Sequence, residues 1–159
     1  MNYIGEHLLP GQLGHLFILL SLISSLGATV AYILHVQSKD DLQKAGWRKL
    51  ARIFFFTEVI SVFFIFGILY YIISNHYFEY KYVWQHSSRS LEPKYLLSCF
   101  WEGQEGSFLL WSVWHCVLGV IFIWKEKQWE GPVMAVLSFA QLLLATMLLG
   151  FTDLHIGSN

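Results

Sequence analysis

The run IFFFTEVISVFFIFGILYYIIS, residues 53–74, carries no Lys or Arg and a single acid, Glu58. A bilayer core about 30 Å thick takes about 20 apolar residues in a helix, so the run is long enough to cross lipid. In hydrocarbon an isolated strand or loop leaves backbone N–H and C=O groups unpaired, which makes the run helical. Working outward, similar runs free of Lys and Arg lie at about Leu13 to Val36, Gly106 to Trp124 and Val133 to Phe151. The chain therefore reads as all-α, a polytopic integral membrane protein with four transmembrane helices.

Composition points the same way. Of 159 residues, 55% are hydrophobic, 18% aromatic and 13% charged, whereas a soluble domain carries about 25% charge. This balance excludes a disordered chain, a coiled coil and a nucleic-acid binder, which would need a basic surface, whereas a net charge of −1 says nothing about partners and the placement of the charges has to be read instead. The natural solvent is membrane lipid.

The placement of charge sets a sidedness. All ten Lys and Arg lie outside the four runs. Lys39, Lys44, Arg48, Lys49 and Arg52 fall between the first two, Lys125 and Lys127 between the last two, and only Lys81, Arg89 and Lys94 in the long connection at 75–105. The positive-inside rule puts the two short connections in the cytoplasm, with both termini and the long loop outside, in the inner (cytoplasmic) membrane. A secretory signal would need a positive n-region and a small-residue cleavage site, and the N-terminus has neither.

A connection this long is seldom a mere tether, and 75–105 is dense in rings. From Phe78 to His86 every second residue is aromatic or imidazole, including Tyr82, Trp84 and His86, the alternation of an extended segment with one ringed face. Ser90-Leu-Glu-Pro93 offers a cap and a first-turn proline for a short interfacial helix over Lys94 to Trp101. Two readings stand side by side: an aromatic belt at headgroup level, or walls for a flat apolar ligand with a metal centre, namely haem. Then comes Trp101-Glu-Gly103-Gln104-Glu105-Gly106-Ser107-Phe-Leu-Leu-Trp111. Its glycines permit a tight turn, and Glu105 and Ser107 sit at the positive end of the third helix.

Cys99 and Cys116 fit no C-x-x-C pattern and read as unpaired packing residues. No metal site is expected from them. Glu58, about a turn and a half into the second run, can reach the interface or pair with Arg52 or a neighbouring helix. His115, nine residues after Gly106, lies about 13 Å along its helix and reads as a bundle histidine with a hydrogen-bond partner. His15 lies near the outer end of the first run, a different depth that argues against a bis-histidine haem. Ser21 with Ser25, and Ser24 with Ala28, have the small-x-x-x-small spacing of close helix packing.

The run Trp101-x-Gly103-Gln104-Glu105-Gly106-Ser107-x-Leu109-Leu110-Trp111 resembles the signature of the cytochrome c maturation F (CcmF) family, membrane subunits of haem lyases. Phe78, Tyr82, Val83, His86, Ser87, Ser88, Leu91, Pro93 and Tyr95 are similar to the family's outer segment before that signature, and Ile156-Gly157-Ser158-Asn159 to a later Gly-Ser-Asn-Pro-Phe stretch. Ser88 stands where Asn is common, and Glu92 separates Leu91 from Pro93. The family's tryptophan-rich WWD segment and haem-ligating histidines lie downstream of what this chain covers, so the resemblance implies the N-terminal four-helix part of a longer protein, not catalytic by itself. It further implies cytochrome c-type biogenesis, in which haem from a haem-chaperone is joined to apocytochrome c on the outer face. Other cytochrome c maturation membrane proteins would be partners. Tyr82, Trp84, His86, Trp101, Gly103, Gln104, Glu105, Gly106, Ser107 and Trp111 then become candidates for haem or apocytochrome contact.

A different class of function, a small four-helix transporter or channel, would run a polar path through Glu58 and His115. The two readings part on where polar groups converge, at the outer rim for a haem handler and near the midplane for a transporter.

Overall fold

The computed structural model describes residues 8–75 and 104–156. These residues form four helices and no strand: α1 (Leu8–Gln37), α2 (Asp41–Ser74), α3 (Gln104–Lys125) and α4 (Glu130–Ile156). Each is long and apolar enough to cross a membrane, and together they make an antiparallel bundle in which α1 packs on α2 and α4, and α3 on α4 and α2. All four apolar runs of the sequence lie within these helices. The segment 76–103, with the ringed run and the interfacial helix expected at Lys94 to Trp101, lies outside the described residues.

The main departure from the sequence reading is at the basic segment, which is helical. α2 has 34 residues, about 51 Å at 1.5 Å per residue, because Lys44, Arg48, Lys49 and Arg52 continue the apolar helix instead of capping it. Lys and Arg are good helix formers, and nothing between Asp41 and Arg52 breaks the helix except Gly46, whose missing Cβ faces open space. Glu58 therefore lies about halfway along a continuous helix. Pro10 and Pro132 both fall in the first turn of their helices, where a missing N–H costs nothing.

The exterior is apolar. Ile23, Phe64, Leu118 and Val136 are exposed, as suits a surface bathed in lipid tails. Without a hydrophobic drive between helices in lipid, association rests on close contact and hydrogen bonding. α1 supplies the closeness: Ser21, Ser24, Ser25, Ala28, Thr29 and Ala31 are all buried. Ser25 and Thr29 give their hydroxyl protons to their own helix, at Leu22 O (3.0 Å) and Ser25 O (2.7 Å), so a small polar face packs without orphaned donors. Gly27 lies against the Phe54 ring, and Gly119 against Phe55 and Leu137.

Two apolar clusters fill the interior. Ala28, Ala31, Tyr32, Ala51, Phe55, Ile123 and Met134 occupy the basic half. Ile18, Val62, Ile65, Leu109, Cys116 and Leu148 occupy the half nearer the long loop.

Candidate functional site

At the basic end, α2 and α4 are tied by one ion pair. Arg52 donates from Nε to Glu130 Oε1 (2.7 Å) and from Nη2 to Glu130 Oε2 (2.6 Å). The Glu130 side chain is 0% exposed and that of Arg52 35%. This forked geometry is the strongest form of a carboxylate pair. The buried Tyr32 of α1 lies within electrostatic reach of both partners. Next to it, His35 Nδ1 lies 2.8 Å from the Lys44 carbonyl oxygen, which makes that nitrogen the donor, and its ring covers Gly131. The sequence reading offered Arg52 as a partner for Glu58. Arg52 instead faces the basic end and gives Nε and Nη2 to Glu130.

Glu58 itself is 1% exposed and neither carboxyl oxygen has a hydrogen-bond partner. Packing fixes its level. Gly119 of α3 touches Phe55 of α2 and Leu137 of α4, and one turn towards the long loop from these stand Cys116, Glu58 and Gln141. Gln141 Nε2 donates to Ser112 O (3.0 Å) and to Cys116 Sγ (3.0 Å), and Glu58 lies within electrostatic reach of Cys116. Gly27 against Phe54 sets the α1 register, which brings Ser24 level with Glu58. A buried polar layer thus separates the two apolar clusters. Gln141 and Ser138 belong to it and the sequence reading passed over both, because single polar residues in a long apolar run give no periodic signal.

His115 is not part of that layer. It is half-buried, and its Nδ1 lies 2.8 Å from the carbonyl oxygen of Trp111, one turn back on its own helix. Among the described residues no hydrogen bond joins Glu58 to His115. His15 lies level with α2 residues 66–67 and His115 with residue 59, about 10 Å apart along the bundle at 1.5 Å per residue. The described residues contain no group of three or more His, Cys, Asp or Glu arranged for a metal, and His35 lies at the basic end.

Of the loop candidates, Tyr82, Trp84, His86, Trp101 and Gly103 lie outside the described residues, as does Cys99. Gln104 opens α3, with Glu105, Gly106 and Ser107 in its first turn, the positive end of the helix, which favours acids and hydroxyls. Trp111 is 57% exposed and meets Phe108 edge to face, ring centroids 6.0 Å apart at 86°. Cys116 is free and buried. An open groove of about 640 Å³ lies between α1 and α2 near the long-loop end, lined by Leu13, Val59, Phe63, Phe64, Ile68 and Tyr71. Its walls are apolar and hold no metal-ligating imidazole, thiol or carboxylate.

No protein-family model matches the chain, and no solved structure matches it. Over 85 residues the chain is 35% identical to the probable cytochrome c-type biogenesis protein NrfE of Escherichia coli (strain K12). The matched segment amounts to 53% of this chain and 15% of that relative, so the chain corresponds to a minor part of the relative's length.

Proposed function

We propose that the chain acts in cytochrome c-type biogenesis as the N-terminal membrane part of a CcmF-like haem lyase, a multi-pass protein of the inner membrane. The observation that carries this reading is the 35% identity over 85 residues to NrfE, joined to the Trp101 to Trp111 run whose second half opens α3. In this reading both termini and the 75–105 connection face outward, and haem, a haem-chaperone and apocytochrome c meet the protein there.

The described bundle has a scaffolding part in this scheme. α2 ends at Ser74, and α3 begins at Gln104, so the two ends of the ringed segment are held by packed helices. Fixing both ends preorganises the points from which that segment departs. Haem, when bound, supplies the vinyl groups to which apocytochrome thiols add. The chain's own share is to hold aromatic walls and the Gln104 to Ser107 turn at the membrane edge.

The test is covalent haem staining of c-type cytochromes in a strain deleted for the gene and complemented with the full-length protein, wild type or carrying Trp84→Ala, Trp101→Ala and His86→Ala. Loss of holocytochrome on deletion and a several-fold drop in the variant at equal protein level are expected. Normal holocytochrome in the deletion strain overturns the reading. For orientation, Arg89→Cys in an otherwise cysteine-free chain should react with a membrane-impermeant maleimide in spheroplasts, and reaction only after lysis would reverse the topology.

A further inference from the structure

We propose that Glu58 is a proton-bearing acid at the centre of a hydrated polar layer, donating its hydrogen bond to Gln141 Oε1 directly or through an ordered water and so joining α2 to α3 and α4.

Three observations converge on it. Both Glu58 oxygens, Gln141 Oε1 and Ser138 Oγ are buried and without a hydrogen-bond partner. Orphaned polar atoms are uncommon in folded interiors and gather where ordered water sits. Second, Gln141 uses its amide nitrogen on Ser112 O and Cys116 Sγ, so only its oxygen is left, and that oxygen needs a donor. Third, Glu58 lies within electrostatic reach of Cys116, the residue Gln141 holds, and the packing register puts the two at one level.

Among the described residues no cation pairs with the carboxylate. On its own helix the nearest base, Arg52, is bound twice to Glu130, and Arg48 lies about 15 Å along the axis. α1 presents the neutral Ser24 and Ser25, α3 the Cys116 thiol, and α4 the neutral Ser138 and Gln141. His115, beside Cys116 in sequence, has its Nδ1 on the Trp111 carbonyl. An ionised acid in such a place is costly unless paired. A proton converts Glu58 from a pure acceptor into the one donor that the Gln141 oxygen lacks.

Infrared spectroscopy of the full-length protein in lipid nanodiscs tests this. A protonated-carboxyl C=O band is expected at neutral pH, absent from Glu58→Gln, together with a Cys116 S–H stretch that moves in both Glu58→Gln and Gln141→Leu. Glu58→Gln, which keeps shape and a donor, should melt within a few degrees of the wild type. Absence of the carboxyl band with a carboxylate band assigned to Glu58 overturns the proposal. So does a carboxyl band abolished by adding sodium or potassium chloride, which would make the layer a cation site.

Discussion

Arg52 and Glu130 stand 78 residues apart in the chain and meet through two parallel hydrogen bonds, 2.7 and 2.6 Å long, that tie α2 to the first residue of α4. The carboxylate is fully enclosed while the guanidinium is about one-third exposed. Removing one partner of a buried pair costs about 3–5 kcal/mol, and the partial exposure of Arg52 puts this case at the lower end. Glu130→Ala should therefore lower the melting temperature in detergent or nanodiscs by several degrees. Arg52→Lys, which keeps the charge and loses the fork, should fall between. In a double-mutant cycle, Arg52→Ala with Glu130→Ala should cost less than the sum of the single changes, and strict additivity would show that the pair contributes nothing.

Glycines at two places should answer oppositely to Ala. At Gly119 a Cβ would run into Phe55 and come within 2.9 Å of Leu137 Cδ2, so Gly119→Ala forces α3 away from its neighbours and destabilises by about 1–3 kcal/mol. At Gly46, a helical position with nothing within 4 Å, Ala should stabilise by about 0.5–1 kcal/mol. Thermal unfolding of both variants side by side checks the pair, and a stabilised Gly119→Ala would contradict the packing at that level.

Cys116 is fully buried and holds the Gln141 amide. In a Cys99→Ser background, N-ethylmaleimide should modify the folded protein at least tenfold more slowly than the protein unfolded in sodium dodecyl sulfate. Equal rates would mean that the interior between α3 and α4 is open. Gln141→Leu, which removes the donor to Ser112 O and Cys116 Sγ, should raise the labelling rate of the folded form.

Trp111 and Trp114 are 57% and 59% exposed on α3. In nanodiscs containing brominated acyl chains their fluorescence should be quenched, and replacing both with Phe should lower the bromine-sensitive emission. Insensitivity of the wild-type signal would place another surface over this face of α3.

The sequence exposes the lipid-facing side of this architecture and hides its joints. The four spans are legible because a long stretch without Lys or Arg has one physical meaning in a chain this poor in charge. Ser21, Ser24, Ser25 and Ala28 marked the packing face of α1 in advance, since their spacing places them on one side of a helix. Helix ends were less legible. The basic cluster from Lys44 to Arg52 looked like a connection because charge was read as water, yet long basic side chains remain compatible with a helix that rises out of the lipid. The Arg52–Glu130 pair was invisible for a different reason: its members belong to no shared periodicity. The available hint was that an Arg directly before one span and a Glu directly before another fall on the same side. Gln141 and Ser138 carried no signal beyond being polar in an apolar run, because what makes them matter is the level of Cys116 and Glu58 on other helices.

The connectors at the basic end, Ser38 to Asp40 and Glu126 to Trp129, turn the four helices into two hairpins, and Arg52 is on the first while Glu130 begins the second limb of the other. During synthesis the first hairpin enters the bilayer with its guanidinium unmatched until 78 further residues have been translated. Ribosomal output thus imposes an order on assembly: the early pair of crossings waits in the membrane, and the late pair locks it.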